Sequence, residues 1–430
     1  MKTILSIVFI CSLSSAQMLT LDDLIESAIT KSPDIKISKA DYKASKQQSL
    51  QADADYLPQV NLTAEAGKQG VDYGAHSSSI ALSNDSDLLL ASINAKQLIY
   101  DFGKTGGSME SFENQSYAFK ASLQQKISDK IYAVKKAYYA LLSDHALIEV
   151  NTENITLNSQ QLYRSERYFE AGIRTKVDVT DARVNLIEAQ LGLQNTKYDM
   201  SLSLVNLKKE VGMDNENEIY NTEIYIQRPD SADIYASLPK PPLPVAQYKE
   251  EAYKNRAELD QYVQLLKAAQ SVYKQVEGDY YPSIYAKGDY LVQEVDKNAF
   301  APEEQWKASI SLEWNLYSGN KTDALNEEAR IIIMRAQADL ENTRLRIQKE
   351  VNDAYIQVNK QLDNTRLSQS LSIASKEKFA QVQKRYEYGL ADYIELQQAR
   401  QSYIDSRARL MQSYYGYYTA MAALDRAVGM

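Results

Sequence analysis

Residues 168–183, YFEAGIRTKVDVTDAR, and residues 385–400, RYEYGLADYIELQQAR, are one segment met twice at an offset of 217. In each, a glycine (Gly172, Gly389) follows an aromatic-acidic pair and precedes an apolar-acidic-apolar triplet, Val177-Asp178-Val179 or Ile394-Glu395-Leu396. Each then closes on Ala-Arg, Ala182-Arg183 or Ala399-Arg400. Glycine reaches positive φ at no steric cost, so this position reads as the reversal point of a helical hairpin.

The match extends outward at the same offset. Tyr100 and Lys104 answer Tyr317 and Lys321, and Val134, Ala137 and Tyr138 answer Val351, Ala354 and Tyr355. Val211-Gly212-Met213 answers Val428-Gly429-Met430. Nearer the start the offset becomes 224, pairing Ala28 with Ala252, Ala44 with Ala268, Asp55-Tyr56 with Asp279-Tyr280 and Pro58 with Pro282. The chain is an internal duplication, and repeats of this kind decide the fold before any motif does. The expected divisions are a first repeat over 17–213, a proline-rich connector over 214–245 and a second repeat over 246–430.

Either side of the turn the chain is built for helix. From Lys104 to Ala171 there is no proline, and no glycine after Gly107; Lys321 to Tyr388 has neither. About 65 helical residues would span on the order of 100 Å. Leu123, Ile127, Ile131, Val134, Tyr138, Leu141, His145 and Ile148 recur at threes and fours, a coiled-coil seam that Val351, Tyr355, Val358 and Leu362 repeat. A helix of that length has to run beside equally long partners. Ser32-Pro33 restarts an earlier helix that is expected to reach Tyr56. In the connector, prolines 229, 239, 241, 242 and 244 indicate an extended segment. There Ile219, Tyr220, Ile224, Tyr225 and Ile226 are expected to pack along a helical surface.

Four stretches alternate with period two instead. Val60, Leu62, Ala64 and Ala66 interleave with polar residues, as do Ile284, Ala286, Gly288 and Tyr290, then Ile310, Leu312, Trp314 and Leu316, and more weakly Leu89, Ala91, Ile93 and Ala95. Residues 76–79, Asn84-Asp85-Ser86-Asp87 and Glu294–Asn298 read as polar loops at their tips. Tyr56, Tyr100, Phe102, Tyr280, Tyr281, Trp306, Trp314 and Tyr317 stand near the strand ends, where an aromatic girdle would sit. Amphipathic strands of this length fit a membrane β-barrel, yet four cannot close one, and an open edge cannot sit in lipid. Such strands require several copies of the chain, which would also supply the long helices with partners.

The amino terminus and the composition narrow the function. Lys2, the apolar run Ile4–Leu13 and Ser14-Ser15-Ala16 read as a signal peptide over 1–16, with cleavage expected after Ala16. Cys11, the only cysteine, lies inside that run, so no disulfide is expected in the exported chain. The 57 acidic and 48 basic residues leave a net charge of −9, which argues against nucleic acid as a partner. Two histidines offer no basis for a metal site, and no cofactor is expected. A mean hydropathy of −0.46 excludes a helical membrane span in the exported chain. An enzyme built from Asp178 and Glu395 is the weaker reading, because the repeat makes these two equivalent positions at equivalent turns rather than an acid–base pair.

The duplicated order of elements, the turns Phe169-Glu170-Ala171-Gly172 and Tyr386-Glu387-Tyr388-Gly389, and the Ser32-Pro33-Asp34-Ile35 and Tyr56-Leu57-Pro58 segments together resemble the TolC-type outer-membrane efflux protein family over residues 18 to 430. The resemblance implies an α+β membrane protein, a long α-helical coiled-coil barrel joined to four β-strands per chain. Three chains, a homotrimer, would complete a twelve-stranded outer-membrane β-barrel in contact with outer-membrane lipid. It implies an exit duct of a tripartite efflux pump or type I secretion system, completed by a periplasmic adaptor and an inner-membrane transporter. It puts Glu395 on a periplasmic gate ring, with Gln398 where a second acidic ring can stand. It makes Tyr386 and Asp178 latch residues, while the family's latch arginine falls on Ala391, with Arg174 at the corresponding place in the first repeat. Each residue also has a plain role: Asp178 and Tyr386 can cap or pack the turn, and Glu395 can sit on a solvated helix face. A periplasmic coiled-coil adaptor without a pore is the alternative for the whole chain.

Overall fold

The computed structural model describes residues 19–71, 84–213, 233–241, 243–295 and 303–430. The signal segment 1–16, the loop residues 76–79 and 296–298, and Ile219 to Ile226 of the connector lie outside them. Among the described residues, eight α-helices and four strands run in the order α1 (Leu21–Lys31), α2 (Pro33–Ala54), β1 (Gln59–Val71), β2 (Asn84–Tyr100), α3 (Lys104–Glu170), α4 (Lys176–Val211), α5 (Val245–Asn255), α6 (Ala257–Glu277), β3 (Ser283–Val295), β4 (Glu303–Glu313), α7 (Lys321–Glu387) and α8 (Tyr393–Val428). A 3₁₀ turn, Gly278–Tyr280, precedes β3. Each half is thus helix, helix, strand, strand, long helix, helix, and the two long helices have 67 residues each. Among the described residues, no helix is long and apolar enough to cross a membrane.

The chain divides into two compact units, one holding the chain through Ser38, Leu123–Ala257 and Arg344–Met430, the other Lys39–Ser122 and Glu258–Thr343. The first unit is helical. Thr20 and Asp23 cap α1 reciprocally, the Asp23 Oδ2 accepting from the Thr20 backbone at 2.9 Å. The helix ends are closed alike in both repeats. Gly212 and Gly429 take left-handed conformations (φ 76° and 87°) after α4 and α8. They sit against the α1–α2 and α5–α6 junctions, where a Cβ on Gly429 would fall 2.8 Å from the Asn255 carbonyl. Arg256 at the second junction is buried. Its Nη2 lies 2.9 Å from Glu350, and its Nη1 donates to the carbonyl of Ala427 at 3.3 Å, capping the last turn of α8. The described end of the connector packs on the helices: Ile234 and Leu238 are buried, Gln369 accepts from the Tyr235 backbone at 2.7 Å, and Tyr417 donates to the Pro239 carbonyl. Of the seam residues, Val134, Tyr138, Leu141, Val351 and Val358 are buried, and Leu123, Ile127, Ile131, His145, Ile148, Tyr355 and Leu362 are half-buried.

The second unit carries the sheet, antiparallel throughout in the order β1-β2-β3-β4. Its registers stack Val60 on Ala95 and Gly288, and Leu62 on Ile93, Tyr290 and Trp306. One face is therefore apolar through these two rows and turns charged further along, with Glu304 in the row of Ala64, Ala91 and Val292 and with Lys68 opposite Asp87. The other carries Asn61, Asn94, Asp289 and Lys307 in one row, and Lys96 and Lys287 with Glu313, whose Oε1 accepts from Lys287 at 2.6 Å. Among the described residues, β1 and β4 remain unpaired on their outer sides.

Three strand boundaries differ from the sequence reading: first, Glu294 and Val295, read as loop, still belong to β3, where the ladder pairs them with Leu89 and Leu88. Asn84-Asp85-Ser86-Asp87, read as loop, opens β2, because the ladder continues regardless of side-chain polarity and sets Asp87 opposite Lys68. Trp314 and Leu316, read as strand, lie beyond β4. Glu313 pairs with Ser283, so Trp314 would face Pro282, which has no N–H to continue the ladder. At the strand-to-helix corners Phe102 and Asn320 adopt positive φ of 55° and 67°. The Phe102 ring stacks on Tyr281 at 5.0 Å and meets Tyr100 edge-on at 4.7 Å, so three of the girdle aromatics form one cluster.

Candidate functional site: the paired helical turns

The duplicated segment that opens the sequence forms two turns in the helical unit. After α3, Gly172 (φ 70°) donates to the Phe169 carbonyl at 2.9 Å and Ile173 to the Tyr168 carbonyl at 2.8 Å. After α7, Gly389 (φ 72°) donates to Tyr386 at 3.1 Å and Leu390 to Arg385 at 2.8 Å. Both are Schellman closures, in which the left-handed glycine's own N–H and the one after it satisfy carbonyls of the last helical turn. Open space surrounds both glycines, so conformation alone requires them.

One core joins the two hairpins: Ala182 of α4 packs with Val382 and Tyr386 of α7 and with Ala391, Tyr393, Leu396 and Ala399 in and before α8. Polar contacts reinforce it. Asn185 donates to the Tyr393 hydroxyl at 2.8 Å and accepts from Gln397 at 2.5 Å, and Arg164 pairs with Glu387 at 2.8 Å.

The latch candidates meet here. Tyr386 is 2% exposed, and the Arg174 guanidinium lies 4.9 Å from the centre of its ring. Burial pushes the Tyr386 hydroxyl above its ordinary pKa, with Arg174 and the nearby Gln161 side chain opposing. The hydroxyl is buried and makes no hydrogen bond of ordinary geometry. Asp178 faces its own turn, its Oδ2 accepting from the Thr175 backbone at 3.0 Å and the Thr175 hydroxyl at 3.2 Å. Ala391 is a buried core residue.

Glu395, the repeat partner of Asp178, is differently placed. Asp392 accepts the Glu395 backbone N–H at 2.7 Å, so the Glu395 carboxylate is not needed as a cap. Its Oε1 accepts instead from Arg385 Nη1 at 2.7 Å, and Arg385 Nη2 donates to the Leu390 carbonyl at 3.1 Å. Gln398 is exposed on α8 one turn further on. Arg385 is the site residue that reading the turn motif alone passes over. Its signal is position: it stands ten residues before Glu395, across the turn, where the first repeat has Tyr168.

An open four-stranded sheet and duplicated long helical hairpins in one chain define a class: a subunit of a channel whose barrel is shared between chains. The family model for outer membrane efflux proteins matches residues 24–213 and 249–430, and the chain belongs to that family. It is 22% identical over 379 residues to the outer membrane protein TolC of Vibrio cholerae, covering 87% of this chain and 82% of that protein. Its fold matches the outer membrane protein VceC of Vibrio cholerae with a TM-score of 0.84 at 16% identity, over 95% of this chain and 96% of that one. The CmeC outer membrane channel of Campylobacter jejuni matches with a TM-score of 0.83 at 14% identity, over 95% and 85%. The resemblance read from the turns and the duplication is thereby borne out, and the channel reading stands over the pore-less adaptor.

Proposed function

We propose that the protein is the outer-membrane exit duct of a tripartite efflux pump or type I secretion system. It works as a passive homotrimeric conduit whose transport is driven by an inner-membrane transporter through a periplasmic adaptor. The observation that carries this reading is the sheet, which has one face apolar over its central rows, the other polar, and two edges unpaired among the described residues. A single chain in lipid could leave neither those edges nor the polar face exposed, and both are resolved when three copies close a twelve-stranded barrel around an aqueous lumen. The exposed seam Leu191, Tyr198, Leu202 and Val205 on α4 supports it, since copies would cover a heptad-spaced apolar stripe.

On this reading the turns at Gly172 and Gly389 form the periplasmic tip and the adaptor's docking region, and Glu395 contributes a carboxylate ring that attracts cations. Tyr386, Arg174 and Asp178 hold the tip closed. The protein is exported by the segment over 1–16, its repeats meet at the 214–245 connector, and it performs no chemistry. Planar-bilayer conductance of the detergent-purified protein tests the proposal. Discrete, long-lived steps are expected, with block by divalent cations. Folded protein that neither conducts nor partitions into membranes would overturn it.

A further inference from the structure

We infer that a hollow between α3, α7 and α8, beneath the tip, binds a small monovalent anion of chloride size on the guanidinium of Arg400. The site stands on the chain's own packing and does not depend on the channel reading.

Arg400 is 4% exposed. Its partner is the Tyr393 hydroxyl, which already accepts from Asn185, and among the described residues no carboxylate pairs with it. A buried guanidinium cannot shed its proton, and neutral acceptors do not offset the loss of hydration; a counter-charge does.

The duplication shows what is missing. The first-repeat equivalent of Arg400 is Arg183, which lies 3.6 Å from Glu166. The second-repeat equivalent of Glu166, at the same offset of 217, is Gln383. The arginine has been kept and buried, while its carboxylate has become an amide.

Beside Arg400 and Gln383 the helices leave a space of about 20 Å³, also lined by Gln160, Gln161, Arg164 and Phe379. That is room for one water-sized occupant and too little for sulfate or phosphate. No carboxylate lines the space among the described residues, and Glu387, which Arg164 meets at 2.8 Å and Gln383 at 3.4 Å, is engaged by two of its lining side chains. Two guanidinium groups and one carboxylate leave a net positive charge facing amides that can turn their N–H groups inward. The buried Tyr386 hydroxyl, which makes no hydrogen bond of ordinary geometry, stands beside Gln161. Water would fill the space and leave the charge; a halide answers both.

The test is thermal unfolding of the full-length protein at constant ionic strength, with chloride or bromide exchanged for gluconate or sulfate. Wild type is expected to unfold several degrees higher in halide, saturably. Gln383→Glu restores the internal carboxylate and should unfold at the higher temperature in every salt; Arg400→Gln should lose the halide response. Bromide anomalous scattering should place a peak in the wild-type hollow and none in Gln383→Glu. A wild-type midpoint indifferent to the anion, or a Gln383→Glu protein that keeps the full halide response, would overturn the proposal. Should Arg400→Gln not fold, the Gln383→Glu and bromide measurements decide alone.

Discussion

At the scale of single residues, the two copies of one turn show how a neighbouring cap decides what a carboxylate can do. Asp178 and Glu395 occupy the same repeat position, but Thr175 uses Asp178 as a reciprocal cap whereas Asp392 caps its own helix and leaves Glu395 to Arg385. Arg385 is 53% and Glu395 39% exposed, so the pair contributes little to stability; its consequence is for the charge a gate ring presents. Glu395→Gln is expected to abolish block of single channels by divalent cations. Arg385→Gln should lower the half-blocking concentration about fivefold, the equivalent of about 1 kcal/mol for a partly screened charge. Block unchanged in Glu395→Gln would remove the ring; block lost there but unmoved in Arg385→Gln would remove only the arginine's part. Tyr386 separates packing from polar latching. Its hydroxyl makes no hydrogen bond of ordinary geometry while Arg174 lies on the ring, so Tyr386→Phe should leave resting conductance unaltered and Arg174→Gln should raise it. The turn glycines and the acidic residues were legible in the sequence, because offset and glycine chemistry mark them. The partners of Glu395 and Asp178 were not, because side-chain direction after a cap depends on which oxygen reaches the helix N–H first.

At the scale of elements, the helices were legible because helix interruption is a local matter: proline and glycine are absent over the long segments, and Gly172, Gly212, Gly389 and Gly429 mark their ends. Strand ends were less legible, since a ladder stops where its partner stops, as Pro282 stops β4. The charges that tie helices together carry no periodic signal. Arg256, its side chain 1% exposed, serves Glu350 and the end of α8 at once. Arg256→Met leaves Glu350 and two carbonyls without that partner, and should cost about 3–5 kcal/mol, read as a large drop in unfolding temperature. Lys130 joins three elements, lying 3.0 Å from Asp34 of α2 and 3.0 Å from Glu210 of α4. Burial alone would raise the Glu210 pKa, but hydrogen bonds from Lys209 and Lys130 outweigh it and hold the group below its ordinary 4.5. A depressed carboxyl pKa stabilises the fold at pH above the unfolded value, and that contribution disappears as pH falls through the folded one. The wild-type midpoint should therefore fall with acidification below pH 4.5. In Lys130→Met the neutral-pH midpoint should already be lower, by the equivalent of about 1 kcal/mol, and this part of the acid dependence should flatten.

At the scale of the whole molecule, the claim is that the chain is incomplete alone, and two adjacent residues test it. Leu62 and Asn61 are neighbours on β1, at an edge of the sheet, and the registers place them on opposite faces: Leu62 in a row with Ile93, Tyr290 and Trp306, Asn61 in a row with Asn94, Asp289 and Lys307. Leu62 is 74% exposed, and Trp306 on the far edge strand 77%, an exposure that water penalises and lipid does not. Arginine at Leu62 would meet hydrocarbon and cost about 2–4 kcal/mol if the position lies near the bilayer midplane; arginine at Asn61 would meet the aqueous lumen and cost little. The expected outcome is that Leu62→Arg greatly reduces heat-resistant oligomer in the membrane fraction, while Asn61→Arg assembles normally and shifts only ion selectivity toward anions. Equal tolerance at both positions would mean that the apolar face does not meet lipid. Equal intolerance would mean that the polar face is not a lumen. Only a barrel closed by further copies gives opposite answers one residue apart, because in an alternating strand the two solvents are separated by the thickness of the sheet.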